Sequence, residues 1–246
     1  MREILADLVA EQQALDQLLQ RAPDRDWKRQ TPAEGWTVQD TISHLAASEE
    51  RALRAIGGDR KLAAEIKAAG GVDAYNRLGV EAGRSKRPQE VIEWWRHSRA
   101  AVVEALSRTP RQARVSWYAG TMGARSFATT RLMETWAHGL DIVAALEREV
   151  VDTARLRHIA WLGWKTLPYA FSQAGEKYRE PIRVELVGPG YARWVFGPEG
   201  SDQVIRGQAG DWCRLVVGRL PEGRKKDLVA AGDVAATALR VARAYV

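Results

Sequence analysis

Between Ile4 and Leu19 the apolar residues return every three or four positions: Ile4, Leu5, Leu8, Val9, Leu15, Leu18 and Leu19, with Glu, Gln and Asp filling the other face. One apolar stripe at this period predicts an amphipathic helix over residues 2–22. The stretch Arg21–Trp27, which contains Pro23, breaks it. A second helical pattern opens after Gly35-Trp36. Thr37 has the side chain of an N-cap, and Asp40 three residues later can close a capping box, although Glu or Gln is more usual there. The pattern continues through Val38, Ile42, His44, Leu45 and Leu53 to a stop at Gly57-Gly58.

Residues 59–69 predict a short helix, and 70–87 a polar connection with some local structure. A third long helix is predicted over 88–108, turning Val91, Trp94, Trp95, Val102, Val103 and Leu106 inward and ending at Thr109-Pro110. Residues 111–124 read as an irregular loop, and a fourth long helix spans 125–147. Four such helices predict a four-helix bundle, a fold that builds metal sites from inward-facing side chains on different helices.

The pattern changes after Val150-Val151-Asp152. A helix over 153–173 presents Ile159, Leu162, Trp164, Leu167 and Phe171. Residues 182–187 then alternate apolar and polar as a half-buried strand does. Glycine- and proline-rich turns at 188–190 and 197–200 separate further strands at 191–196 and 203–207. Helices are predicted at 211–219 and 231–245. The fold class is therefore mainly α, with a four-helix bundle over 1–150 and a small α+β domain over 151–246.

Composition changes this picture little. Hydrophobic residues make up 46% and charged residues 28%, as in ordinary soluble domains. No apolar run is long enough to span a membrane, and the first residues read as a helix, not a signal peptide, so the expected location is cytoplasmic. The one cysteine, Cys213, rules out an internal disulfide and a cysteine-based zinc finger, and its apolar neighbours predict an inert buried thiol. Net charge is +6, unevenly spread: residues 1–150 hold 22 basic and 21 acidic side chains, and the rest hold 15 and 10. The excess suits a small anionic ligand. It does not point to nucleic acid, because the basic residues are scattered and no recognition motif accompanies them. The cluster Arg224-Lys225-Lys226 reads as a solvated loop.

Chemistry concentrates in the run Arg131–Asp141. Glu134 and His138 are four residues apart and share one helical face. If the second and fourth long helices are neighbours, His44 converges on them. Two imidazoles and one carboxylate suit zinc with a fourth position open, and equally iron(II); nickel or copper compete for such a set. Spacing alone leaves a second reading: a histidine on an apolar face as a hydrogen-bonded core residue, and a Glu–His pair arising by chance. The apolar neighbours of Glu134 weigh toward a metal, since a buried carboxylate needs a partner.

Gly35–Ala46 (GWTVQDTISHLA) resembles the "GWTVxDxxxHLA" signature of the DinB-like, mycothiol-dependent maleylpyruvate isomerase family. Arg131–Asp141 (RLMETWAHGLD) resembles that family's second signature, "ExWxHGxD". The resemblance covers the first 150 residues well and the remainder, SCP2-like, only in outline. It implies a divalent metal, usually zinc, on His44, Glu134 and His138. Asp40 and Asp141 match motif positions within a turn of a ligand, and each suits orienting an imidazole; for Asp40, helix capping is an equal reading. The implied cofactor is mycothiol or another low-molecular-weight thiol, held as thiolate and added to a small electrophilic substrate. An arginine of the C-terminal domain would hold the substrate carboxylate, and Arg206, Arg214 and Arg219 are candidates, with Arg219 preferred. His97 and His158 match no motif and read as structural or exposed. Isomerase or S-transferase is the leading class. A non-catalytic metal-binding or stress-response protein and a metal-dependent hydrolase or oxygenase are the alternatives.

Overall fold

The computed structural model describes residues 1–118 and 120–244. These divide into two compact units, Met1–Val150 and Val151–Val246.

The first unit is built on four long helices: α1 (Arg2–Gln20), α2 (Val38–Ile56), α5 (Pro88–Arg108) and α6 (Ala124–Ala145), with the shorter α3 (Lys61–Ala68) and α4 (Val72–Arg84) between α2 and α5. Helix α2 packs against α5 and α6, and α1 packs against the same two. Leu15, Leu19, Ile42, Leu45, Trp95 and Ile142 meet in the core. Helix α2 starts where its sequence says it should. The Thr37 side chain accepts from the Asp40 backbone N–H, and the Asp40 carboxylate accepts from the Thr37 backbone N–H, a complete capping box. On α5, Val91, Trp95, Val102 and Leu106 are buried. Trp94 and Val103, expected inward, are only half-buried; the Trp94 indole donates to Glu50 at 2.6 Å.

Two segments of this unit differ from the sequence expectation. The polar connection at 70–87 contains the 13-residue helix α4. Its glycines are contact points with α2: a Cβ on Gly79 would lie 2.5 Å from the Ala47 Cβ, and one on Gly83 would lie 1.8 Å from Ser43 Oγ. The absence of a side chain at these two points is therefore what lets α4 approach. The loop expected at 111–124 contains an antiparallel hairpin of β1 (Arg114–Trp117) and β2 (Gly120–Gly123). Residue 119 of that loop lies outside the described residues.

The second unit begins with α7 (Leu156–Lys165) and α8 (Leu167–Gln173). A single helix over 153–173 was expected. The chain breaks at Thr166, whose hydroxyl donates to the Leu162 carbonyl, and Pro168 lies in the first turn of α8, where its missing N–H costs nothing. Strands β3 (Arg183–Val187), β4 (Arg193–Phe196), β5 (Val204–Gln208) and β6 (Val229–Ala231) form one sheet in the order β4-β3-β5-β6. β3 runs parallel to β5, and both outer pairs are antiparallel. Helix α9 (Ala209–Val216) packs on this sheet and on α7, and α10 (Asp233–Val241) packs on α8. Strand β6 escaped the sequence reading because three residues carry no visible alternation. Residue 245, the expected end of the last helix, lies outside the described residues.

Candidate metal centre

His44 lies two turns inside α2, and Glu134 and His138 lie one turn apart in the middle of α6. Packing of α2 on α6 brings the three together. One ligand-type atom from each lies within 4.8 Å of the others, the only such His/Cys/Asp/Glu cluster among the described residues. Both imidazoles turn Nε2 toward the same carboxylate oxygen: His44 Nε2 and His138 Nε2 each stand 3.7 Å from Glu134 Oε2. That is too long for a hydrogen bond. It is close to the edge of a tetrahedron with metal–ligand bonds of about 2.1 Å, roughly 3.4 Å. The donor set and its spacing therefore fit a divalent ion. The rings of His44 and His138 meet edge-on at 4.7 Å, and Trp36, immediately before the α2 cap, covers both at 4.9 and 6.0 Å.

The electrostatics prepare these groups for a cation. Burial pushes His44 down to about 4, with the charges of His138 and Arg51 adding to that and the Glu134 carboxylate opposing it. Burial alone would raise Glu134, but contact with His44 and the positive charge of Arg131 outweigh it and hold the carboxyl down at about 2. A neutral imidazole and an ionised carboxylate are the ligating forms.

The outer partners divide. Asp141 Oδ2 stands 3.3 Å from His138 Nδ1, within ion-pair reach but out of line for a hydrogen bond. Asp40 does not orient His44. One of its oxygens caps α2 and the other accepts from Arg84 Nε at 3.0 Å, while His44 Nδ1 is buried without a partner. His97 is exposed, and His158 is buried in the second unit. In that unit Arg206 donates to Glu185 and Arg214 to Asp152, while Arg219 Nη1 donates to the Val217 carbonyl at 2.6 Å. Around the triad the structure adds residues the motifs do not contain: Trp36 aside, these are Glu49 and Arg131, fully buried one turn away, and Arg51 on the His44 face of α2. Arg51 is seven residues from His44, so helical periodicity was the signal that could have found it.

Residues 8–143 match the family model described as the mycothiol maleylpyruvate isomerase N-terminal domain. The chain belongs to this family. Two uncharacterized proteins of Mycobacterium tuberculosis, from strains CDC 1551 / Oshkosh and ATCC 25618 / H37Rv, are each 38% identical to it over 248 residues, covering 98% of this chain and 94% of theirs. The fold is that of the mycothiol-dependent maleylpyruvate isomerase. The crystal structure of that enzyme superposes with a TM-score of 0.62 at 19% identity, and that of a histidine-to-alanine mutant with 0.63 at 18%, each over 93% of this chain and 92% of the other. No helix among the described residues is long and apolar enough to cross a membrane.

Proposed function

We propose that this family member is a thiol-dependent isomerase or S-transferase, with a divalent metal, zinc by preference, on His44, Glu134 and His138. The observation that carries this reading is the convergence of two imidazoles and one carboxylate, with ligand-type atoms within 4.8 Å of one another. An ion bound there supplies a Lewis-acid centre with a free position, able to hold an external thiol as thiolate near neutral pH.

The chain's own residues do the rest. Helices α2 and α6 fix the three ligands on rigid elements, and Trp36 shields one side of the imidazoles from water. Cys213 is buried in the second unit with its Sγ against the Leu156 carbonyl, and burial pushes the thiol well above its usual range. It is unsuited to act as nucleophile, so the reacting thiol comes from outside, and mycothiol is the thiol named by the family. Reversible addition of that thiol to a conjugated double bond gives cis–trans isomerisation, and addition with loss of a leaving group gives S-transfer.

The test is metal analysis of the purified protein followed by turnover of maleylpyruvate with mycothiol. One ion per chain, lost in His44→Ala, and thiol-dependent turnover are the expected results. Protein that takes up no zinc at micromolar concentration rules the reading out. Bound metal with hydrolysis or oxygen uptake in the absence of thiol transfers it to the hydrolase or oxygenase class.

A further inference from the structure

The sheet of the second unit is covered on one side and open on the other. Val184, Leu186, Trp194 and Ile205 are buried, and α9 packs on β3 and β5. The alternate residues face outward. Strand register places Val195, Glu185, Arg206 and Val229 in one row across all four strands, with Val187 and Arg193 paired in the next. Arg183, Glu185, Arg193 and Arg206 are all the charged residues that the four strands contain, and all lie on this face. A sheet face turned to water is ordinarily polar. This one also exposes three large aliphatic side chains, Val187, Val195 and Val229.

Glu185 sits among the arginines. Its Oε1 accepts from Arg183 Nε at 2.7 Å, its Oε2 accepts from Arg206 Nε at 3.0 Å, and Arg193 Nη2 stands 3.8 Å away. One carboxylate thus orients three guanidiniums, and two positive charges are left over. The side chains of Arg193 and Arg206 are more than half exposed. Arg206 makes no hydrogen bond among the described residues beyond its Nε bond to Glu185, and Arg193 makes none, so the terminal nitrogens of both stay available as donors. Tyr191, in the connection between β3 and β4, is 93% exposed and holds φ at +59°, the left-handed region that a non-glycine residue occupies only at a cost. Exposed tyrosine and arginine around aliphatic side chains is the composition of a protein interface.

We propose that the outer face of this sheet docks an acidic segment of a partner protein that carries an aliphatic stripe. Charge complementarity selects the partner. Its carboxylates take the terminal nitrogens of Arg193 and Arg206, and its aliphatic side chains cover Val187, Val195 and Val229. A second copy of this chain fits poorly, because a twofold pairing of the face sets arginines against arginines. Nucleic acid gains nothing from the valines, and the strands offer its bases no row of exposed aromatic rings. The docking face belongs to the second unit alone and is independent of the function proposed for the metal centre.

The experiment is fluorescence anisotropy of a labelled probe titrated with the full chain. The probe is a helical peptide with one leucine stripe flanked by glutamates, compared with the same peptide carrying glutamine in their place. The acidic peptide should bind wild type about tenfold more tightly than its glutamine counterpart. Arg193→Gln/Arg206→Gln should remove that advantage. Val187→Thr/Val195→Thr, which keeps the β-branched shape but not the apolar surface, should weaken binding about threefold. Lys225→Gln/Lys226→Gln takes the same charge from the exposed cluster of the same unit and should bind as wild type does. Equal binding of the two peptides overturns the proposal, as does equal weakening by the arginine and lysine pairs. A single-stranded oligothymidine or phosphatidylserine vesicles bound more tightly than the peptide, and lost in Arg193→Gln/Arg206→Gln, would assign the face to another class of partner and overturn it too. So would a dimer in sedimentation that the same variant disperses. Should the valine pair not fold, the arginine pair against the lysine pair decides.

Discussion

Arg131 Nη1 and Glu49 Oε1 stand 3.9 Å apart, both fully buried, without a hydrogen bond between them. Arg131 Nη1 donates to Ser48 Oγ instead, at 2.8 Å. Burial, reinforced by the nearby charge of Glu134 and only partly offset by Arg131, pushes the Glu49 carboxyl up to about 7 from its usual 4.5. The folded state therefore binds more protons than the unfolded one between those values. Stability from this group is fully present below about 4.5 and is lost as pH rises through about 7. His44 acts in the other direction. Its folded value of about 4 lies below the usual 6.5, so stability is lost as pH falls through that interval. In the metal-free protein the two slopes oppose each other. Glu49→Gln removes one of them. Relative to wild type, Glu49→Gln should be near neutral at pH 5 and more stable by up to about 3 kcal/mol at pH 8. Urea unfolding in EDTA at the two pH values measures this, and a difference independent of pH rejects it.

Gly83 and Gly139 are both helical glycines, and the structure predicts opposite outcomes for them. A Cβ on Gly83 would sit 1.8 Å from Ser43 Oγ and 2.4 Å from Ser43 Cβ, so the α2–α4 contact must open. Gly83→Ala should cost about 1–3 kcal/mol despite the gain in helix propensity. Around Gly139, inside α6, no atom beyond its chain neighbours and its own helix backbone lies within 4 Å of the added Cβ, and Gly139→Ala should stabilise by about 1 kcal/mol. Thermal unfolding of the two variants side by side decides the matter. Equal melting temperatures would mean that α4 does not depend on the close approach.

The same glycines show where sequence reading stops. The long helices were legible because each buries one stripe, and α2 because Thr37 and Asp40 carry its cap in their own side chains. That Glu134 and His138 share a face was legible because four-residue spacing on α6 is local, and His44 joins them because α2 packs on α6. Helix α4 was not legible, because Gly79 and Gly83 lower local helix propensity and only the neighbouring α2 reveals them as contacts. The β1–β2 hairpin was missed because four-residue strands show little alternation. Asp40 had two readings in the sequence, and the choice required Arg84, 44 residues away.

Cys213 is fully buried, with Sγ 3.5 Å from the Leu156 carbonyl oxygen. A thiol reagent such as Ellman's should therefore find no reactive group in the native protein and one equivalent after unfolding. Cys213→Ala should retain zinc binding and thiol-dependent turnover while losing about 1 kcal/mol of stability from the small cavity. Rapid native-state labelling, or turnover abolished in a folded Cys213→Ala, would place the reactive sulfur in the chain and remove the need for an external thiol.

Trp36 offers a signal for the metal that does not depend on activity. It is one of ten tryptophans, and its ring lies 4.9 Å from His44 and 6.0 Å from His138. A paramagnetic ion such as cobalt(II) or nickel(II) held by those imidazoles is close enough to quench its emission. Titrating metal-free protein with cobalt(II) should lower total tryptophan fluorescence to a plateau at one equivalent. Trp36→Phe, which keeps an aromatic cover over the ligands, should bind the same equivalent with most of the quenching gone. Glu134→Gln should show neither binding nor quenching, since a neutral amide removes the one anionic ligand. Quenching of equal size in Trp36→Phe would locate the ion away from the histidine pair, and the three-ligand centre would have to be abandoned.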